Sequence, residues 1–110
     1  MMTLAAVMLV ASFQEAPAPP VQTASPALAQ QHVSEGLALY RRRRFRAARD
    51  EFRKAVEADS SSAAAHYYLG YTLYKIGEPT RRLTSEKEES RGLFARAFEL
   101  DPGFRPTWQP

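Results

Sequence analysis

Few residues in this chain have types and spacing suited to chemistry. His32 and His66 are the only two histidines and stand thirty-four residues apart. Equivalent places in successive helix pairs of a stack lie about 10 Å apart, too far to share a metal held at about 2.0–2.1 Å. Both are expected to be packing residues. There is no Cys, so no disulfide framework and no thiolate site. No Ser-His-Asp order, Gly-rich phosphate loop or HExxH pattern occurs. No catalytic residue, metal or cofactor is therefore assigned, and the chain is not expected to be an enzyme.

What remains is contact chemistry. Arg41, Arg42, Arg43, Arg44 and Arg46 form a basic run, which Arg49, Arg53 and Lys54 extend. A guanidinium fork suits carboxylate and phosphate. The run reads either as a contact for an acidic partner or anionic surface, or as a solvated turn whose cations gain about 0.3–1 kcal/mol each from a helix C-terminus. The net charge of +3 is local: residues 29–56 hold eight basic side chains against Glu35, Asp50 and Glu51, whereas 57–84 are neutral. Nucleic-acid binding is unlikely chemistry for this run, because only Phe45 is interleaved as a stacking platform. Tyr67, Tyr68, Tyr71 and Tyr74 stripe one segment, and Tyr offers large area with a polar tip to a helix neighbour or to a ligand. Glu86, Glu88 and Glu89 read as an acidic first helical turn.

Helices must position these groups. Leu28, Val33, Leu37 and Tyr40 recur at helical steps over 27–40, and Ala48, Phe52, Ala55 and Val56 do so over 45–58. Ser60-Ser61-Ser62 marks a stop and a new N-cap before a helix over 63–76. Gly77 is expected at a left-handed C-cap, with Pro79 beyond it. Ser85 with Glu88 has the capping-box form before a helix over 86–100, whose apolar side is Leu93, Phe94, Ala97 and Phe98. The pattern is all-α, with four helices in two antiparallel pairs.

A register runs through these helices. His32, Gly36, Leu39 and Tyr40 recur as His66, Gly70, Leu73 and Tyr74, all at thirty-four residues. Phe52, Ala55, Glu57 and Asp59 recur as Phe94, Ala97, Glu99 and Asp101, at forty-two. The second unit thus carries eight extra residues between Gly77 and Ser90, read as a longer loop over 78–84 and an added turn on the fourth helix.

On these residues the chain resembles the tetratricopeptide repeat family, with repeats at about 29–62 and 63–102. Gly36, Leu39, Ala48, Phe52, Ala55 and Asp59 match the motif in the first. Leu69, Gly70, Leu73, Phe94, Ala97, Asp101 and Pro102 match in the second. His32 and His66 stand where that family has Trp, Glu35 where it has Leu, Arg43 where it has the turn Gly, and Ser60 where it has the closing Pro. The resemblance implies a right-handed superhelix of helix pairs whose first helices line a concave groove. Tyr68, Tyr71, Tyr74 and Lys75 would face Val33, Leu37, Tyr40 and Arg41 across it. Family members that clamp a C-terminal carboxylate use Lys, Asn and Arg at places held here by Val33, Leu37 and Tyr68, so that clamp is absent. The implied activity is non-enzymatic binding of a partner peptide or helix.

The two ends carry further expectations. Residues 2–13 are uncharged and would span about 18 Å as a helix, short of the roughly 30 Å hydrocarbon core. With Ala16-Pro17-Ala18 and Ala27-Leu28-Ala29 as small-x-small sites, residues 1–18 read as a candidate signal peptide and 19–26 as a Pro/Ala-rich linker. The missing basic n-region keeps an uncleaved anchor or an unstructured start open, so export, membrane contact and a cytoplasmic location all stand. Ser25-Pro26 also reads as an N-cap and first helical residue, opening a domain over 27–104 with a tail at 105–110. Trp108 falls where a third repeat would place its Trp. Two repeats are below the three that stacks usually need. Either Trp108 or Phe104 folds back over the last helix, or Phe94, Phe98, Phe104 and Trp108 form a face for self-association.

Overall fold

Serine and threonine hydroxyls start three of the four helices in this computed structural model, which describes residues 23–110. α1 spans Pro26–Arg41, α2 Phe45–Ala58, α3 Ala63–Gly77 and α4 Ser85–Leu100, with no strand among the described residues. The candidate signal peptide lies outside the described residues. Among the described residues no helix is long and apolar enough to cross a membrane.

Ser25 Oγ accepts the Leu28 N–H at 3.4 Å, with Pro26 in the first turn, and Ser62 Oγ accepts the Ala65 N–H at 3.1 Å. These satisfy donors that a helix start leaves orphaned. At α4 the expected cap shifts by one residue. Thr84, extended at φ −112°, accepts the Lys87 N–H at 3.2 Å, and its carbonyl takes the Glu88 N–H at 3.0 Å. Ser85 is instead the first helical residue, because Thr84 offers the same hydroxyl one step earlier.

Two turn residues exchange the roles expected of them. Gly77 has no positive φ and is the last residue of α3. It serves close approach, since a Cβ there would stand 2.9 Å from Thr84 Oγ1. Arg43 is the left-handed residue, at φ 63°. Its N–H donates to the Tyr40 carbonyl at 2.8 Å and the Arg44 N–H to the Leu39 carbonyl at 3.0 Å. This is the paired hydrogen bonding that closes a helix through a left-handed residue, a place Gly usually holds. A side chain there costs about 1–2 kcal/mol.

The eight extra residues of the second pair are spread out. In register with the first pair, α3 ends two residues later, the connection is four longer, and α4 starts two residues earlier. The added turn expected on α4 is therefore half a turn. The loop is tied to α4 by Lys87, whose Nζ donates to the Arg82 carbonyl at 3.1 Å and to the Thr80 carbonyl. Asp59 and Asp101 close the second helices alike: Asp59 Oδ1 accepts the Ser61 N–H and Asp101 Oδ1 the Gly103 N–H, both at 3.0 Å.

α1 packs on α2, α3 on α4, and α3 also against α2 and α1. The core holds Val33, Leu37, Ala48, Phe52, Ala55, Leu69 and Leu73. At its centre the fully buried Phe52 ring lies over Gly36, where a Cβ would stand 2.5 Å from Phe52 Cε1. The other face of the first pair is open to Tyr68, whose ring stacks on Phe52 at 5.6 Å. One side chain thus joins the two helix pairs.

Gly36→Ala is expected to destabilise the fold by about 1–3 kcal/mol, as overpacking does. Gly92→Ala, with nothing within 4 Å of the added carbon on α4, should stabilise by about 0.5–1 kcal/mol through helix propensity. Urea unfolding followed by helical circular dichroism tests the pair, and equal effects at both sites would contradict the close packing described.

Candidate functional site

Tyrosines spaced three and four apart share one face of a helix. On α3, Tyr67 and Tyr71 lie stacked at 6.3 Å and Tyr71 meets Tyr74 at 6.2 Å. Tyr40 of α1 stands across from them, 6.4 Å from Tyr71 and braced by Phe45 at 5.0 Å. Tyr68 forms the floor, 3% exposed. Val33 and Leu37 were expected to line this face opposite the tyrosines, but both are core residues, 3% and 2% exposed. Tyr67, not among the expected groove residues, belongs to it. Tyr74 is the outermost ring, at 44% exposure.

The face is occupied by the chain itself. Beyond α4, Phe104 packs on Tyr67 at 5.5 Å and on Tyr68 at 5.8 Å. The Thr107 N–H donates to Tyr68 Oη at 3.0 Å. Trp108 then sits 4.6 Å from Tyr40 and 4.9 Å from both Tyr68 and Tyr71. Edge-to-face pairs of this kind contribute about 0.5–1.5 kcal/mol each beyond their buried area. Pro106 lacks a backbone donor and disfavours the helical region at Arg105, and residues 104–110 form neither helix nor strand. Trp108 adopts φ 57°, a left-handed value that aims the ring at its seat.

The four residues expected to make a self-association face are therefore divided. Phe104 lines a small apolar recess of about 210 Å³ with Phe94, Phe98, Tyr67 and Ala97. Phe98 is 66% exposed. Trp108 is not part of this recess but lies in the tyrosine seat, where four rings surround it.

Burial raises the Tyr40 hydroxyl pKa from 10.0 to about 12, with Tyr71 and Glu78 adding to the effect. Tyr67 is raised too, again chiefly by burial. Past Tyr40 the seat opens into a cavity of about 840 Å³, lined by Arg41, Arg43, Arg44, Arg46, Lys75 and Glu78 among others. Lys75 Nζ pairs with Glu78 Oε1 at 3.2 Å. Among the described residues, Arg41, Arg42, Arg43, Arg44 and Arg46 make no ion pair. The basic residues that extend the run are paired: Arg49 with Asp50, Arg53 with Glu89 and Lys54 with Glu51.

The histidines do different work. His66 is buried, its Nδ1 2.9 Å from the Ser62 carbonyl. His32 Nδ1 lies 2.9 Å from Glu51 Oε2, with Glu35 alongside. That bond holds the Glu51 carboxyl below the usual carboxylate range, with burial opposing and Lys54 assisting. The cluster joins α1 to α2, and Lys54 already occupies the second carboxylate oxygen of Glu51 at 3.1 Å.

With this geometry in place, comparison with known proteins is informative. A family model described as tetratricopeptide repeat matches residues 33–81. Superkiller complex protein 3 of Mus musculus is 34% identical over 79 residues, which is 72% of this chain and 5% of that protein. Tetratricopeptide repeat protein 37 of Xenopus laevis is 33% identical over 75 residues, 68% of this chain and 5% of that protein. The chain spans about one twentieth of the length of the curated relatives it matches. No solved structure matches it.

The Tyr40 shift carries a pH dependence. A raised folded-state pKa favours the native state at pH below 10.0, and this contribution is lost as pH rises through about 12. Denaturant unfolding between those values should show steeper loss of stability in the parent chain than in Tyr40→Phe. Identical profiles would show that Tyr40 does not sit in the buried environment described.

Proposed function

We propose that the chain is a scaffold whose tyrosine face holds an extended segment of a partner protein, a reading supported by the match of residues 33–81 to a tetratricopeptide-repeat model. Tetratricopeptide repeats are typically non-catalytic and bind proteins. One observation supports this mode above others: the chain's own segment from Phe104 to Trp108 lies on that face, with ring contacts to Tyr40, Tyr67, Tyr68 and Tyr71. A surface that seats a short extended peptide in cis has the shape and chemistry to seat one in trans. Its central anchor is a large aromatic side chain, and Tyr and Trp are the residue types that concentrate binding energy at such seats. Thr107 adds a backbone hydrogen bond to the Tyr68 hydroxyl, which a partner strand could reproduce irrespective of its sequence.

The repeat class and the absence of a charged clamp on the groove favour an apolar or aromatic segment over a free carboxyl terminus. A labelled peptide copying residues 103–110 should bind a chain carrying Trp108→Ala saturably. Adding Tyr71→Ala should weaken it about tenfold or more. Absence of saturable binding to the Trp108→Ala chain, with its helical content intact, would sink this reading.

A second reading, self-association, is favoured by one observation. Phe98 is exposed beside the recess of Phe94, Ala97 and Phe104. Sedimentation should then show a concentration-dependent dimer that Phe98→Glu disrupts, and a monomer at every concentration would remove it.

A further inference from the structure

The basic cavity beside the tyrosine seat lies at the C-terminus of α1, where cations gain from the helix dipole, but one of its arginines sits where that gain is offset. Arg43 occupies a left-handed position, φ 63°, where Gly would be relaxed. Strain of this kind persists at places where the side chain has a use. Arg43 makes no ion pair within the described residues, and neither do Arg41, Arg44 or Arg46, which line the same cavity. The one acid in the lining, Glu78, is taken by Lys75 at 3.2 Å. Four exposed guanidinium groups thus border about 840 Å³ of space without an ion pair, Arg46 feeling Glu86 only at longer range. Unpaired arginines held close together repel one another, so the arrangement is more stable with anions present.

Position decides which anions. Tyr40 belongs to both places: its ring touches Trp108 at 4.6 Å and it also lines the cavity. Ring contacts place Phe104 at Tyr67 and Trp108 at Tyr40, so a polypeptide on this path comes up to the side chain that borders the cavity. We propose that this cavity is a carboxylate subsite, which takes Asp or Glu side chains of an extended partner segment whose aromatic anchor fills the Trp108 seat. The proposal rests on the groove reading above and adds the partner's charge to it. Guanidinium forks bind carboxylates in paired hydrogen bonds, and a recess with walls from the α1–α2 turn and the end of α3 suits a polypeptide strand better than a flat lipid surface. The site lies at the turn, away from Val33, Leu37 and Tyr68 on the groove floor.

Two synthetic peptides test this. Both copy residues 104–108; one continues into a run of glutamates and the other into glutamines. Against the chain carrying Trp108→Ala, the acidic peptide should bind about tenfold tighter at low salt. The difference should shrink as salt is added. Combining Arg44→Gln and Arg46→Gln should erase the preference while leaving the neutral peptide's affinity unchanged. Arg43→Gly should weaken the preference and raise Tm by about 4 °C or more, because the turn relaxes; that rise shows the variant is folded. Equal binding of the two peptides, or a preference that survives the arginine changes, overturns the carboxylate site and leaves the groove reading standing. If neither peptide binds, both fail together. Arginine-dependent binding to phosphatidylserine vesicles without any acidic-peptide preference overturns the proposal in favour of a membrane surface.

Discussion

The contact between Phe52 and Gly36 is the constraint on which the rest depends. The missing Cβ lets the Phe52 ring settle against α1, which brings α1 and α2 close enough to form a pair. The opposite side of that ring then supports Tyr68 of α3. Tyr68 in turn meets Phe104 and Trp108 through its ring and Thr107 through its hydroxyl. A single line of packed side chains therefore runs from the tightest point of the core to the face on which Phe104 and Trp108 lie. The spacing of the concave face is set at its centre, and the tyrosines on it inherit their separation from the crossing of the helices beneath.

Charge is arranged around this line with the opposite logic. Where α2 faces α1 and α4, charges are matched: His32 with Glu51, Lys54 with Glu51, Arg53 with Glu89. At the α1–α2 turn the arginines are unmatched and one is held in a backbone conformation that disfavours it. Surface ion pairs contribute little to stability, so the difference between the two groups lies in charge placement more than in fold energy. Aromatic seat and basic cavity meet at Tyr40, and that adjacency gives the concave side a direction, apolar at one end and cationic at the other.

Much of this was readable from residue order. The helices, the caps at Ser25 and Ser62, and the two registers of thirty-four and forty-two all follow from local rules of periodicity and turn chemistry. The α4 cap falls on Thr84 because two adjacent hydroxyls compete for the role and Thr84 takes the Lys87 N–H. Three features needed the third dimension. Val33 and Leu37 match groove positions by analogy, yet both are buried in the cluster that also holds Phe52, Tyr68 and Leu69. Tyr67 was taken with its neighbours as a stripe, and only the path of the tail singles it out. The His32–Glu51 contact joins residues nineteen apart on different helices, which no spacing rule along one helix reports. The tail is legible in part: a fold-back of Trp108 or Phe104 is one of the two sequence readings, but residue order places it over the last helix, whereas Trp108 lies against Tyr40, Tyr68 and Tyr71 of α1 and α3.

Trp108 is the only tryptophan in the chain, so its fluorescence reports the state of the concave face without labelling. The most direct measurement is acrylamide quenching of the intact protein against the free peptide of residues 103–110. Seated among Tyr40, Tyr67, Tyr68 and Tyr71, Trp108 should be quenched much less readily than in the peptide, and Tyr71→Ala should move it towards the peptide's value. Quenching of the intact chain as easy as that of the free peptide would contradict the claim that this face is a seat for extended polypeptide.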